Sequence, residues 1–244
     1  MIENNKKKLP VSQSPKDSDF NFGNPEYYYK HFYNLVVGKD TRGILRFLSS
    51  FPHKLLERPF KSNLGLVILE LGSGQNEHFT FVAKDYAFYY SLDLAEPLHL
   101  PSFPNFKYLN ADAAKIPLDN ESVDRIILTC LLLHLKEPEK VLVEMKRVLK
   151  ATGFISIYLP PEPSVLLRVI RYFSSKRKAR ALGFEGYDLF IARDHITYFS
   201  RVLELIKYHF RGHEIQVKFR PFFLPSWNLN AVCIIQIKSS ANST

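Results

Sequence analysis

The sequence predicts an α/β protein built on a mostly parallel sheet, and three observations carry that expectation. Short apolar runs of strand length recur through the middle of the chain. A strongly amphipathic helical segment lies between two of them. Several of the runs stop at a glycine or an aspartate. Strands covered on both faces read as continuous apolar stretches rather than as alternating ones. Their alternation with helices describes a parallel sheet with helices on both sides.

Taken in order, residues 1–19 are polar, with scattered Pro, Ser and Lys, and read as a disordered tail. The character then changes to a cluster of Phe20, Phe22, Tyr27, Tyr28, Tyr29, Phe32 and Tyr33. Asn24 suits an N-cap, with Pro25 and Glu26 in the first helical turn. A second helix is expected over 41–56, where Ile44, Leu45, Leu48, Phe51 and Leu55 fall at helical spacing, with Pro52 counting against its second half. Residues 20–62 thus read as an N-terminal helical cap and 63–240 as the main domain.

Strands are expected at 66–71, at 87–92 ending on Asp93, at 106–109, at 123–129 and at 153–159. Between the last two, residues 138–150 place Val141, Leu142, Met145, Val148 and Leu149 on one stripe, with Gly153 beyond them as a helix stop. After Pro160 comes a basic helical stretch, 162–183, then a helix at 200–210. Two late strands, 213–219 and 231–237, are joined through Pro221, Pro225 and Trp227 as an antiparallel ending. Residues 160–200 read as an insertion on the substrate side.

Length and composition fit one ordinary globular domain: 244 residues, 46% hydrophobic and 23% charged. The net charge of +9 calls for something anionic, whether a nucleic acid, a membrane surface or an acidic substrate. Cys130 and Cys233 sit in apolar runs without metal-binding spacing, so reduced thiols and no metal site are expected. Lys6, Lys7 and Lys8 have no apolar run behind them, so no secretory leader is expected. No stretch is apolar enough to span a bilayer. Together these features predict a cytoplasmic protein.

The chemistry concentrates at Glu70-Leu71-Gly72-Ser73-Gly74-Gln75-Asn76, directly after the first strand. Glycines there permit a sharp turn and close approach to a ligand, ahead of the N-terminus of the next helix. A dinucleotide site would place glycine at position 77; the Glu77 found there would repel a pyrophosphate. Asp93 follows Gly72 by 21 residues, the distance at which an acid accepts from ribose hydroxyls. Asp112, in Asn110-Ala111-Asp112-Ala113 after the third strand, can accept from an exocyclic amine. The three describe a site for an adenosine without phosphates.

Those residues resemble the class I S-adenosylmethionine-dependent methyltransferases, in particular the methyltransferase-11-like group. Val123-Asp124, Leu133-His134-Leu135 and Glu144-Met145-Lys146-Arg147-Val148-Leu149-Lys150 extend the likeness, which covers about 64–160. The resemblance implies a Rossmann-like, seven-stranded, mostly parallel sheet with an antiparallel last strand, and S-adenosyl-L-methionine as cofactor. Gly72, Ser73 and Gly74 would cradle its methionine part, Asp93 its ribose and Asp112 its adenine, with Glu70, Asn76, Leu94, Ala113 and Thr129 completing the site. An acceptor would enter at the ends of the fourth and fifth strands, where His134 and His195 are the candidate catalytic bases.

The acceptor expected is a small molecule, sugar or lipid precursor, methylated at oxygen. The run Arg168, Arg171, Lys176, Arg177, Lys178 and Arg180 suggests that it is anionic. An RNA-modifying methyltransferase and a non-catalytic cofactor-binding subunit are the alternatives. The sequence departs from the group's pattern at Asn76, where a third glycine is usual, at the proline-rich 94–105, which is too short for the usual helix, and at Ala151-Thr152 before Gly153.

Overall fold

A computed structural model describes residues 22–37 and 42–238, so the expected tail at 1–19 and the aromatic Phe20 lie outside the described residues. The described chain runs α1 (Pro25–His31), α2 (Tyr33–Val36), α3 (Gly43–Glu57), β1 (Val67–Leu71), β2 (Phe88–Asp93), β3 (Phe106–Asn110), β4 (Val123–Thr129), α4 (Pro138–Val148) and β5 (Leu149–Leu159). It continues through α5 (Val165–Arg171), α6 (Arg177–Ala181), α7 (Tyr187–Asp194), α8 (Phe199–His209), β6 (Glu214–Arg220) and β7 (Val232–Lys238). A π turn, Tyr172–Lys176, joins α5 to α6.

The seven strands form one sheet in the order β3-β2-β1-β4-β5-β7-β6. The first five pair in parallel; β7 runs antiparallel to both β5 and β6. Side chains alternate strictly along the central strands. Leu69, Leu71, Ile126, Leu128, Ile155 and Ile157 enter the large core beneath α4 and α8. Ile68, Tyr89, Ile127 and Ile234 enter a second core that Leu56 of α3 closes on the opposite face. Period-two alternation between two buried faces gives the continuous apolar runs seen in the sequence.

α3 continues through Pro52 to Glu57, so the second half that Pro52 counted against is helical, as the spacing over 41–56 predicts. Proline removes one helical hydrogen bond, but tertiary contacts hold the last turns. Pro52 and Leu56 are buried, and Glu57 takes both terminal nitrogens of Arg125 at 2.6 and 2.9 Å. Arg125 is 0% exposed, stacks 3.9 Å from the Phe60 ring centroid and also reaches Asn63. Burial alone would raise the Glu57 pKa; hydrogen bonds from His78 and Arg125 outweigh it, and the pKa is lowered.

The residues shared with the methyltransferase group at 124 and 144–147 are structural clamps. Asp124 accepts from the Val67 N–H and from Lys150 Nζ, each at 2.9 Å, and so ties β1, β4 and β5 together at their amino ends. Glu144 accepts from Ile116 N–H while Arg147 donates to the carbonyls of Ile116 and Leu118. Helix α4 stops at Val148, and β5 begins at once on Leu149, earlier than expected. Gly153 lies inside β5 and is not a helix stop; a β-carbon there would meet Leu149 at 2.7 Å.

The helix expected after β1 is also absent. Only a one-turn 3-10 helix, His78–Phe81, occupies the connection. The link to β2 is short, and Phe79 and Tyr86 turn inward to fill the core that α3 covers. The proline-rich 94–105 forms no helix, as its sequence predicts.

Above the carboxyl ends of the strands, α1 packs on α7. Asn24 accepts from the Tyr27 N–H at 3.2 Å to cap α1. Tyr28 stacks on Phe190 with centroids 4.1 Å apart, at the centre of a third apolar cluster with Val36, Ala179, Phe184 and Tyr187. The basic stretch expected as one helix over 162–183 starts at Val165 and is interrupted by the π turn. Among the described residues no helix is long and apolar enough to cross a membrane.

Candidate functional site

The turn after β1 is built by three left-handed residues: Gly72 at φ 68°, Gly74 at 52° and Asn76 at 59°. Asn76 can stand where a third glycine is usual because asparagine tolerates this region. The two glycines serve different ends. A β-carbon on Gly72 would lie 2.9 Å from Leu131, whereas one on Gly74 would meet nothing within 4 Å. Gly72 is therefore a close-packing position, and Gly74 borders open space. Beneath them Ser91 Oγ lies 2.8 Å from Ser73 Oγ and 2.5 Å from Asn76 Oδ1.

Asp93, at the end of β2, closes the turn from the other side. Its carboxylate accepts from the Gly74 N–H at 2.8 Å and the Ala95 N–H at 3.0 Å. A carboxylate has about four acceptor positions, so lone pairs remain for a ligand hydroxyl. Leu94 is exposed beside it. Asp112 follows β3, exposed, with Oδ1 taking the Ala114 N–H at 2.8 Å, and Ala113 is buried. Glu70 is wholly buried under the turn and accepts from the Tyr89 hydroxyl at 2.6 Å. Burial pushes its pKa up. Its Oε1 has no hydrogen-bond partner among the described residues.

The structure thus brings Glu70, Gly72, Ser73, Gly74, Asn76 and Asp93 into one cradle, with Leu94, Asp112 and Ala113 along the adjoining strand ends. Thr129 ends β4, paired with Tyr158, and Cys130 follows it in a left-handed conformation at φ 67°. Such strain in a non-glycine residue costs roughly 1–3 kcal/mol and gathers at functional sites. It directs the next residue, Leu131, against Gly72.

His134 closes the short 3-10 turn that begins at Leu131. Its Nδ1 lies 3.0 Å from the Asp194 carbonyl oxygen and 3.4 Å from Asp194 Oδ2. The two histidine rings meet edge to face, 4.8 Å between centroids. His195 Nδ1 is 2.8 Å from Glu162 Oε1, though not aligned as a hydrogen bond, and its Nε2 is 3.9 Å from Asp194 Oδ2. Tyr29 of α1 donates to Asp194 Oδ2 at 2.8 Å, and Tyr33 of α2 to Glu77 at 3.5 Å. The N-terminal helices therefore bridge the insertion and the glycine turn.

Charges in this cluster are matched. For His134 burial works against protonation, but the hydrogen bond and charge of Asp194 outweigh it and raise the pKa. Asp194 is lowered: burial opposes ionisation, and His134 overcomes it. Glu162 would be raised by burial, yet His195 and Arg171 hold it down at about 2. One ligand atom each from His134, Asp194 and His195 lie within 4.8 Å of one another, a spacing a metal ion could occupy.

Sequence reasoning missed Tyr29, Glu162 and Asp194. Only the adjacency of Asp194 to His195 hinted at one of them. It also read Arg171 and Lys176 as part of one basic run facing an anionic acceptor. In the structure Arg171 turns inward and pairs with Glu162, and Lys176 pairs with Asp188. A groove lined by Val67, Phe88 and Arg147 lies at the amino ends of the strands, away from the carboxyl ends where open α/β sheets bind ligands.

Residues 69–157, from β1 to β5, match the family model described as a methyltransferase domain. A comparison with curated protein sequences gives no match. Solved structures share the fold at low identity. A Haloferax volcanii methyltransferase in complex with the Trm112 methyltransferase activator is 12% identical, with a TM-score of 0.60 over 87% of this chain and 96% of its own. A SAM-dependent methyltransferase from Aquifex aeolicus is 20% identical, at 0.50 over 78% and 89%. The YcgJ protein from Bacillus subtilis is 14% identical, at 0.54 over 78% and 99%. The family match spans the strands that carry the cradle, β1 to β5, and the solved structures of methyltransferases share the fold of the sheet around it.

Proposed function

We propose that the chain methylates a hydroxyl oxygen of a small-molecule, sugar or lipid-precursor acceptor, with His134 as general base. The observation that carries this reading is the His134–Asp194 pair, held at the carboxyl end of β4 next to the glycine turn. The open space at Gly74 and the unpartnered Glu70 Oε1 fit the amino-acid end of S-adenosylmethionine. Asp93 would take its ribose hydroxyls, Leu94 and Ala113 would cover the adenine, and Asp112 would accept from its amine.

The bound cofactor supplies a methyl group on a sulfonium, an excellent leaving group, so alignment and desolvation are the main demands on the protein. A hydroxyl acceptor adds the need for a base. Because His134 Nδ1 faces Asp194, the proton on that nitrogen is donated to it and Nε2 keeps the lone pair. Nε2 then takes the acceptor proton, and Asp194, held by Tyr29, stabilises the imidazolium. Glu162 and Arg171 fix His195 beside it. The inward turn of Arg171 leaves Arg168, Arg177, Lys178 and Arg180 as the exposed cations from which an anionic acceptor would draw attraction.

Calorimetry with S-adenosylmethionine and its demethylated product tests the first half. Both bind, and Asp93→Ala weakens them by about 1–3 kcal/mol, the cost of stranded hydrogen-bonding groups. Turnover with hydroxyl acceptors that survives unchanged in His134→Ala would refute the assignment of the base.

A further inference from the structure

Two segments far apart in sequence meet at the surface and expose aromatic and aliphatic side chains together. On α5 and its π turn, Val165, Val169 and Tyr172 form one stripe, with Phe173 beside it at 69% exposure. Between β6 and β7 the turn carries Phe222, Phe223 and Leu224, and Phe223 is 81% exposed. The two are joined at the start of α5. Ser164 Oγ lies 3.1 and 2.5 Å from the carbonyls of Asn228 and Asn230, and the Val165 N–H donates to Asn228 Oδ1 at 3.1 Å. Asn230 Nδ2 donates to the carbonyls of Leu224 and Ser226. The apolar tip is therefore pinned in place, not frayed.

The two segments themselves carry charge of one sign. Residues 163–183 hold six basic and no acidic residues, and 215–231 hold two basic and no acidic ones. Arg171 is spent on Glu162 and Lys176 on Asp188. Arg168, Arg177, Lys178, Arg180 and Lys218 remain exposed, and Arg220 lies over the Phe223 ring at 4.3 Å. Soluble monomers rarely leave such an apolar group in water without a partner.

We propose that this face docks on an anionic lipid bilayer, inserting Phe173, Phe223, Leu224 and Trp227 at the headgroup boundary while the cations meet acidic headgroups. An apolar face bordered by Lys and Arg and bearing Trp and Phe is the pattern of interfacial membrane binding. A second copy of the chain does not fit, because pairing the face with itself would set like charges together. A nucleic acid fits less well: it uses the cations and aromatic rings, but gains nothing from Val165, Val169 and Leu224. The proposal does not rest on the methyl-transfer reading, and its test needs no turnover.

The single tryptophan of the chain, Trp227, sits in this turn at 39% exposure and reports directly. The full-length protein is mixed with vesicles of phosphatidylcholine alone, with vesicles containing about one-third phosphatidylglycerol, and with bulk RNA. Sedimentation and Trp227 emission are read in each case. With anionic vesicles the protein pellets and the emission moves to the blue; partition into neutral vesicles is at least about tenfold weaker. Arg177→Ala with Lys178→Ala lowers the anionic partition by about twenty-five-fold, at about fivefold per charge. Phe223→Ser with Leu224→Ser lowers it by about tenfold or more. All four side chains are exposed, so both variants keep the wild-type circular dichroism and melting temperature. Equal binding to neutral vesicles, vesicle binding unchanged in either variant, or a Trp227 response to RNA alone overturns the proposal.

Discussion

Alanine substitutions at Gly72 and Gly74 should separate folding from cofactor binding within a single turn. Both glycines have positive φ, 68° and 52°, which costs an alanine about 1–2 kcal/mol at either position. Only Gly72 adds a clash, since its new β-carbon would lie 2.9 Å from Leu131. Overpacking of that kind adds about 1–3 kcal/mol. Gly72→Ala should then lose roughly 2–5 kcal/mol, a fall in Tm of about 4–20 °C at this chain length. Gly74→Ala should lose about 1–2 kcal/mol, or roughly 2–8 °C, because its β-carbon enters open space.

Cofactor binding should show the opposite order. In Gly74→Ala the added carbon stands where the ligand approaches, and S-adenosylmethionine affinity should fall by about tenfold or more, the equivalent of 1.4 kcal/mol. Urea unfolding gives the stabilities and calorimetry the affinities. In a Leu131→Ala background, Gly72→Ala should cost only its backbone term, because the clash is gone. If Gly72→Ala is no less stable than Gly74→Ala, or if Gly74→Ala binds the cofactor as tightly as wild type, the division of roles is wrong.

Other outcomes follow from the buried charges. Glu57→Gln leaves Arg125 buried and uncompensated and should cost about 3–5 kcal/mol, whereas Glu57→Leu with Arg125→Met should cost far less; urea denaturation of the single and double variants decides between them. Methyl transfer should need neutral His134, so its rate rises with pH, with a midpoint above the ordinary histidine value of about 6.5, because Asp194 raises the His134 pKa against the effect of burial. Asp194→Asn should move that midpoint to lower pH, and an unmoved profile would discard His134 as the base. The same pair bears on stability in two windows. The raised His134 contributes below its unfolded pKa, and that contribution disappears as pH rises through the folded one; the lowered Asp194 contributes above its unfolded pKa and loses it as pH falls through the folded one.

Local chemistry alone carried the order of strands and helices, the glycine turn and the acids at its rim. Burial on two faces writes apolar runs into β1, β4 and β5, a left-handed turn demands Gly72, Gly74 and a tolerant Asn76, and an N-cap writes Asn24 ahead of Pro25. Each is a constraint among near neighbours, and so it was legible. Tertiary structure decided what depends on groups brought together from far along the chain. Asp194 reaches His134 across 60 residues and Glu57 reaches Arg125 across 68, and no spacing rule encodes either pairing. The same long-range contacts explain where the local signals fall short. Burial against the sheet carries α3 through Pro52, the packing of Phe79 and Tyr86 takes the place of the helix after β1, and Glu162 draws Arg171 out of the basic run in which its own neighbours place it. Periodicity records which face of an element is buried; which distant side chain will meet a charge on that face is settled only when desolvation forces the two to pair.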